Sequence, residues 1–237
     1  GPRIGQVFKI VTGSTKQMTY KMVVFDWDGT ILDSTGAITR AIQHACLDAG
    51  LPDPGEEIAS YVIGLGLSDA LRHAAPGASE AQIALLVESY RKHYLSKDHE
   101  LELFSGAIPL LKQLNAMGVI CTVATGKSRQ GLNRAMANSD TARYFMGSRC
   151  ADECHSKPHP QMILELMEEF GIDAAHVVMI GDTTHDLNMA NAAGVHALSV
   201  QTGAHPPKLL NQVPHLQSFR SINELAPWLI QTISAQS

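Results

Sequence analysis

The chain has 237 residues, 45% of them apolar and 17% charged, which is the balance of a soluble globular protein whose core needs no disulfide staples. A net charge of −5 excludes the broad basic field that nucleic acid requires, so any anion must be held by a local site. No apolar run is long enough for a membrane span, and the four cysteines make no disulfide framework, which together predict a cytoplasmic protein.

Residues 1–19 lack a long apolar segment and read as a leader or flexible extension, with Met18 or Met22 as a natural start. Lys21 to Phe25 is a short apolar run ending in acid and glycine, the pattern of a buried strand followed by a loop. Apolar positions then recur at helical spacing over 36–49, through Ile38, Ile42, Ala45 and Cys46, until Gly50 and Pro52 end the helix. Further helices are predicted at 56–63, 68–75 and 79–98, the last opened by a capping box of Ser79 and Gln82. No strand is predicted between Asp33 and Glu102.

After that the rhythm changes. Helices are predicted near 106–117, 127–138, 159–170, 184–193 and 221–233. Strands are predicted at Val119–Ala124, Phe145–Cys150, His176–Ile180 and Val195–Val200. Strands alternating with helices imply a parallel sheet covered on both faces. The predicted fold class is therefore α/β: a doubly wound, Rossmann-like parallel-sheet core formed by residues 20–33 and 104–237, with an α-helical cap inserted over 34–103. Cys150, Cys154 and His155 lie close together, but no second ligand pair accompanies them at the spacing of a structural zinc site.

Ligands of open parallel sheets bind at the carboxyl ends of the strands. The residues there are Asp26, Asp28 and Thr30; Thr125, Gly126 and Lys127; Lys157 ahead of a helix; and Asp182 and Asp186. Taken in order, Asp26-x-Asp28-Gly29-Thr30, Thr125, Lys157-Pro158 and Gly181-Asp182-x-x-x-Asp186 resemble the four motifs of the haloacid dehalogenase superfamily over about residues 20–215. The likeness is greatest to its phosphoglycolate phosphatase-like subgroup.

That resemblance implies a phosphatase acting on a small phosphorylated metabolite, with no nucleic-acid or membrane partner, as a monomer or homodimer. Asp26 would be the nucleophile, forming an aspartyl phosphate and splitting hydrolysis into two easier steps. Asp28 would carry the proton for the leaving oxygen and later serve as base. Mg2+ would be the cofactor, bound by the side chains of Asp26 and Asp182 and the backbone carbonyl of Asp28. Thr125 would hydrogen-bond the phosphate with the help of the Gly126 amide, and Lys157 would neutralise the transferring group. Thr30 and Asp186 are supporting residues, Asp186 acting through water or by orienting Lys157.

From local sequence alone, Thr125 is equally a helix cap, Asp182 could cap the helix that follows while still binding a metal, and Lys127 competes with Lys157. His185 reads as a helix-surface residue, and Arg72 and His73 as an exposed helix face. The cap loop Gly64-Leu65-Gly66-Leu67 is expected to face the site. A sugar-phosphate mutase, which keeps both acids, is the alternative enzyme, and a catalytically silent binding protein is the alternative of another class. Asp28 argues against a dehalogenase, which lacks that second acid.

Overall fold

The computed structural model describes residues 20–235, so the leader expected over 1–19 lies outside the described residues. The central strand β1 (Met22–Phe25) is followed by four helices, α1 (Thr35–Asp48), α2 (Glu56–Tyr61), α3 (Leu67–Ala74) and α4 (Glu80–Leu95). The chain then alternates through α5 (Ala107–Ala116), β2 (Ile120–Thr125), α6 (Arg129–Ser139), β3 (Gly147–Cys150), α7 (Gln161–Phe170), β4 (Val177–Gly181), α8 (Thr184–Ala193) and β5 (His196–Val200). It ends with α9 (Pro207–Leu210), β6 (Gln217–Phe219) and α10 (Ile222–Ser234).

The six strands form one parallel sheet in the order β3-β2-β1-β4-β5-β6. Successive side chains of a strand point to opposite faces, and both faces are apolar here. Val23, Phe25, Val123 and Ile180 pack with α5, α6 and α10 on one side. Met22, Val24, Ala124 and Met179 pack with α7, α8 and α9 on the other. This double burial explains why the strands read as unbroken apolar runs. The chain reverses its direction of winding between β1 and β4, which places Phe25 beside Ile180 and brings Asp26 and Asp182 together at the adjoining carboxyl ends.

The four helices between β1 and α5 bury a separate core, with Ile38 and Ile42 of α1, Leu71 of α3 and Leu86 of α4 at its centre. Full burial of each such side chain contributes about 1.5–3 kcal/mol. Ser79 and Gln82 form the capping box, Ser79 N–H donating to Gln82 Oε1 at 2.8 Å. The two crossings between this helical block and the sheet run side by side, Asp33 N–H donating to the Glu102 carbonyl at 2.9 Å and Phe104 N–H to that of Ile31 at 3.0 Å.

Two elements go beyond the sequence reading. β6 is a three-residue edge strand with only Phe219 buried, too short and too polar to show a period. α9 is a four-residue turn of helix started by Pro206 and Pro207. Among the described residues, no helix is long and apolar enough to cross a membrane.

Candidate active site

Asp26 and Asp28 follow β1 directly, and Asp182 and Asp186 follow β4. Asp26, Asp182 and Asp186 are buried, with a carboxylate oxygen of each lying within 4.8 Å of the others. Lys157 reaches this cluster from the loop before α7. Its Nζ donates to Asp26 Oδ1 at 3.0 Å and to Asp186 Oδ1 at 2.8 Å. Burial alone would lower the lysine's pKa, but Asp186 and Asp26 together hold it above its ordinary value, so it is a fixed cation.

The three acids are unequal. Burial, reinforced by the charge of Asp186, pushes Asp26 well above the usual carboxylate range, against the pull of Lys157. Burial and Asp186 likewise push Asp182 up to about 6. Asp186 is buried too, yet Lys157 and the hydrogen bonds to it hold its pKa below the ordinary value. Its Oδ2 accepts from the backbone of Asp182 and Thr183, each at 3.1 Å, and from the Thr183 hydroxyl at 3.0 Å. Thr183 and Asp186 thereby form the capping box of α8. The capping duty expected as an alternative for Asp182 thus falls to Thr183, and the Asp182 carboxylate is left for the site.

Asp26 and Asp182 bring buried carboxylate oxygens to within 4.8 Å of each other, and two buried carboxylates so close need a shared proton or a cation to balance them. A buried set of oxygen donors of this kind suits a hard divalent cation. Asp182 is held ready by the Thr30 hydroxyl, donating to Oδ1 at 3.1 Å, and by Ala204 N–H, donating to Oδ2 at 2.8 Å. Gly29 and Gly203 close on the same carboxylate so tightly that a Cβ on either would collide with it. Asp28 lies at the edge of the cluster, where Oδ1 accepts from the Ser34 hydroxyl at 2.7 Å.

Thr125 ends β2 and is buried. Its oxygen accepts from Lys127 N–H at 3.1 Å, while Ser128 caps α6, so the hydroxyl proton of Thr125 is not spent on the helix. Gly126 lies directly beneath the Gly64 and Leu65 carbonyls, with no room for a side chain. Lys127 is a rim residue whose Nζ stands 3.5 Å from Asp28 Oδ2, 3.4 Å from Tyr94 Oη and 4.8 Å from the Tyr94 ring centre.

The helical block covers this end of the sheet, and the Gly64–Leu67 loop faces the site as expected. Gly64 packs on Thr183 and His185, and Gly66 N–H donates to Ser156 Oγ at 2.8 Å, one residue from Lys157. Arg72 is engaged by Asp69 and Glu80 on the exposed side of the block, away from the carboxylates. His185 departs from the surface role read from the sequence. It is buried under α2, its Nε2 lies 2.7 Å from the Tyr61 carbonyl, and burial pushes its pKa down to about 4. His205 was not singled out at all. It follows β5, whose carboxyl end the same strand-end rule would have searched. Among the described residues, Cys150, Cys154 and His155 belong to no metal-ligand cluster.

A Rossmann-like sheet with buried carboxylates at two adjoining strand ends, bridged by one lysine beneath a helical cover, defines a hydrolase built for an anionic substrate. The sequence model of the haloacid dehalogenase-like hydrolases matches residues 23–200, and the chain belongs to that family. The provisionally named phosphatase IndB of Dickeya dadantii is 34% identical over 190 residues, which span 78% of this chain and 82% of that protein. A phosphoglycolate phosphatase of Yersinia pseudotuberculosis is 32% identical over 187 residues, spanning 76% and 81%. A solved hydrolase from Pseudomonas syringae shares the fold with a TM-score of 0.82 at 19% identity, covering 88% of this chain and 97% of that one.

Proposed function

We propose that the chain is a magnesium-dependent phosphatase that hydrolyses small phosphate monoesters through a phosphate ester on Asp26. The observation that carries this reading is the position of Lys157, which contacts the Asp26 carboxylate and is itself anchored by Asp186. A lysine tied to a nucleophilic carboxylate in a water-poor site answers the main demand of phosphoryl transfer, the balancing of charge on the moving group. Phosphatases among the relatives agree with it.

Asp26 and Asp182, with the Asp28 backbone carbonyl, would hold the magnesium. When bound it supplies the positive charge that lets an anionic phosphoryl group approach two buried carboxylates. Trp27 N–H and Lys157 both donate to Asp26 Oδ1, at 2.6 and 3.0 Å, fixing the carboxylate plane and leaving Oδ2 to attack phosphorus. As the O–P bond to Asp26 forms, the bond to the leaving oxygen breaks and Asp28 delivers a proton to that oxygen. Asp28 then takes a proton from water, which attacks the aspartyl phosphate and regenerates Asp26. Thr125 donates its free hydroxyl proton to a phosphate oxygen, and the cap over Gly126 keeps bulk water out of the first step.

A mutase would have to hold the second phosphate of a bisphosphate. None of Gly64, Leu65, Gly66 and Leu67, the cap loop that faces the site, carries a charge for it. The deciding measurement is hydrolysis of an aryl phosphate and of small aliphatic monoesters, with magnesium and with chelator. Asp26→Asn should abolish turnover while remaining folded. Full turnover in that variant, turnover indifferent to chelator, or conversion of hexose 1-phosphates to 6-phosphates as the main reaction would overturn the reading.

A further inference from the structure

Two buried histidines outside the carboxylate cluster grip a single atom of the helical cap. His205 Nδ1 lies 3.0 Å from Thr184 N, a backbone N–H that can only donate, so Nδ1 carries no proton and Nε2 carries it. That Nε2–H donates to the Tyr61 carbonyl at 2.8 Å. His185 Nε2 lies 2.7 Å from the same oxygen, and because a carbonyl only accepts, it too must be the N–H form. Tyr61 is the last residue of α2, where helix carbonyls have no partner of their own. Both lone pairs of this carbonyl are thus filled by imidazoles from the sheet side.

Ring contacts reinforce the grip. The Tyr61 ring stacks on His205 with centroids 4.9 Å apart and planes 8° apart, and meets His185 edge to face at 5.1 Å. Both histidines are buried, at 6% and 1% exposure for His185 and His205, and the chemistry above uses neither. Their place on the chain is what matters. His185 lies between Asp182 and Asp186, and His205 follows Ala204, whose N–H holds Asp182. On the cap side, the backbone turns tightly after Tyr61, with Leu65 N–H donating to the Val62 carbonyl at 3.2 Å. Fixing the Tyr61 carbonyl therefore fixes the loop that lies on Gly126 and reaches Ser156 beside Lys157.

We infer that His185 and His205 are positioning residues that latch the cap onto the metal-carboxylate side of the site through the Tyr61 carbonyl, seating the Gly64–Leu65 loop over Asp26. The consequence for turnover rests on the phosphatase reading; the latch itself does not. Amide hydrogen exchange on the full chain tests it without any turnover, so its outcome is separate from whether the chain is a phosphatase. His185→Phe keeps an aromatic ring but removes the donor. Amides of residues 62–67 should then exchange about tenfold faster, the change that loss of one buried hydrogen bond brings, with β1 and β4 amides as slow as before. His185→Gln, whose side-chain N–H reaches the place of Nε2, should restore most of the protection. Tyr61→Ala, which keeps the carbonyl and removes the stacked ring, should accelerate the same amides to a smaller degree. Unchanged exchange over 62–67 in His185→Phe overturns the latch, as does acceleration of the sheet by the same factor. If His185→Phe does not fold, unchanged exchange over 62–67 in Tyr61→Ala overturns it.

Discussion

The Lys157 ammonium is anchored to Asp186 at 2.8 Å, and Asp186 is itself fixed by the capping box of α8. Lys157 is therefore positioned by the same carboxylate that starts the helix after β4. Asp186 has one oxygen on Lys157 and the other on three donors from Asp182 and Thr183. One acid orients the lysine, which in the proposed mechanism leaves Asp26 and Asp182 for substrate and metal.

Replacing either member of this pair should separate chemistry from stability. Lys157→Met removes the counter-ion of two buried carboxylates, and breaking a buried pair from one side costs about 3–5 kcal/mol. It should lower kcat by about 10²–10³-fold, the usual loss for one electrostatic stabiliser, and lower Tm as well. Asp186→Asn can keep an acceptor for the lysine only by turning its amide N–H groups towards the Asp182 and Thr183 donors, so it should cost kcat less than Lys157→Met while lowering Tm as well. Steady-state kinetics and thermal melts of the two variants check this, and an equal loss of kcat would show that Asp186 does more than orient Lys157.

Gly126→Ala probes the closed cap from the core side. The added methyl would strike the Gly64 and Leu65 carbonyls, and relieving such overpacking costs about 1–3 kcal/mol. The sheet has no part in the clash, so the expected outcome is a displaced cap, kcat/KM down by about tenfold or more, and a Tm lower by only about 2–4 °C per kcal/mol of that cost. A crystal structure of the variant with the cap unmoved would contradict the tight approach.

Much of this arrangement was legible in the sequence because it obeys local rules. β1 has only apolar residues, β4 is apolar up to its closing Gly181, and an acid follows each at once. In the sequence, Lys157 is favoured over Lys127 by the proline that follows it and its place ahead of a helix, whereas the structure separates them by place: one is inside the carboxylate cluster, the other at its rim. His185 and His205 were not legible, because their partner Tyr61 is 124 and 144 residues away and no period links them. The same holds for Tyr94, a helix residue that gains its meaning from contact with Lys127. Trp27 lies between Asp26 and Asp28 in sequence, yet its indole N–H has no acceptor among the described residues.

Metal binding should depend on pH with a calculable sign. Asp182 has a folded-state pKa near 6 in the metal-free protein, above the value of about 3.9 for an unfolded chain. Its contribution to metal-free stability is therefore full below about pH 4 and is lost as pH rises through about 6. His185, pushed down to about 4, behaves oppositely: its neutral buried form costs nothing above about pH 6.5 and destabilises as pH falls towards 4. The two offset each other over one window, so the Tm of the metal-free protein is a poor readout. The Tm increment from magnesium is a good one, since the histidine contribution cancels. Magnesium competes with the proton on Asp182, so the increment should be small at pH 5 and grow up to pH 7.5. An increment independent of pH, or one that persists in Asp182→Asn, would remove Asp182 from the metal site.

Lys127 should decide which alcohol the enzyme prefers to release. Asp28 protonates the leaving oxygen in the proposed mechanism, so the leaving group must lie beside Asp28. Lys127 Nζ stands 3.5 Å from Asp28 Oδ2, so any such group is also within reach of its positive charge. Both polar contacts of Lys127 are long, at 3.5 and 3.4 Å, and an ammonium has three protons to give, which leaves capacity for an added anion. Monoesters whose alcohol bears a carboxylate, 2-phosphoglycolate among them, should therefore have a lower KM than neutral esters of the same size, such as ethyl phosphate. Lys127→Met should raise KM for the carboxylated ester by about tenfold or more, the loss of one charge-assisted hydrogen bond, and should change KM for ethyl phosphate much less. Lys127→Arg should recover part of the preference. A parallel fall of kcat for both esters, with KM unchanged, would mean that Lys127 serves Asp28 alone and that the leaving group is recognised elsewhere.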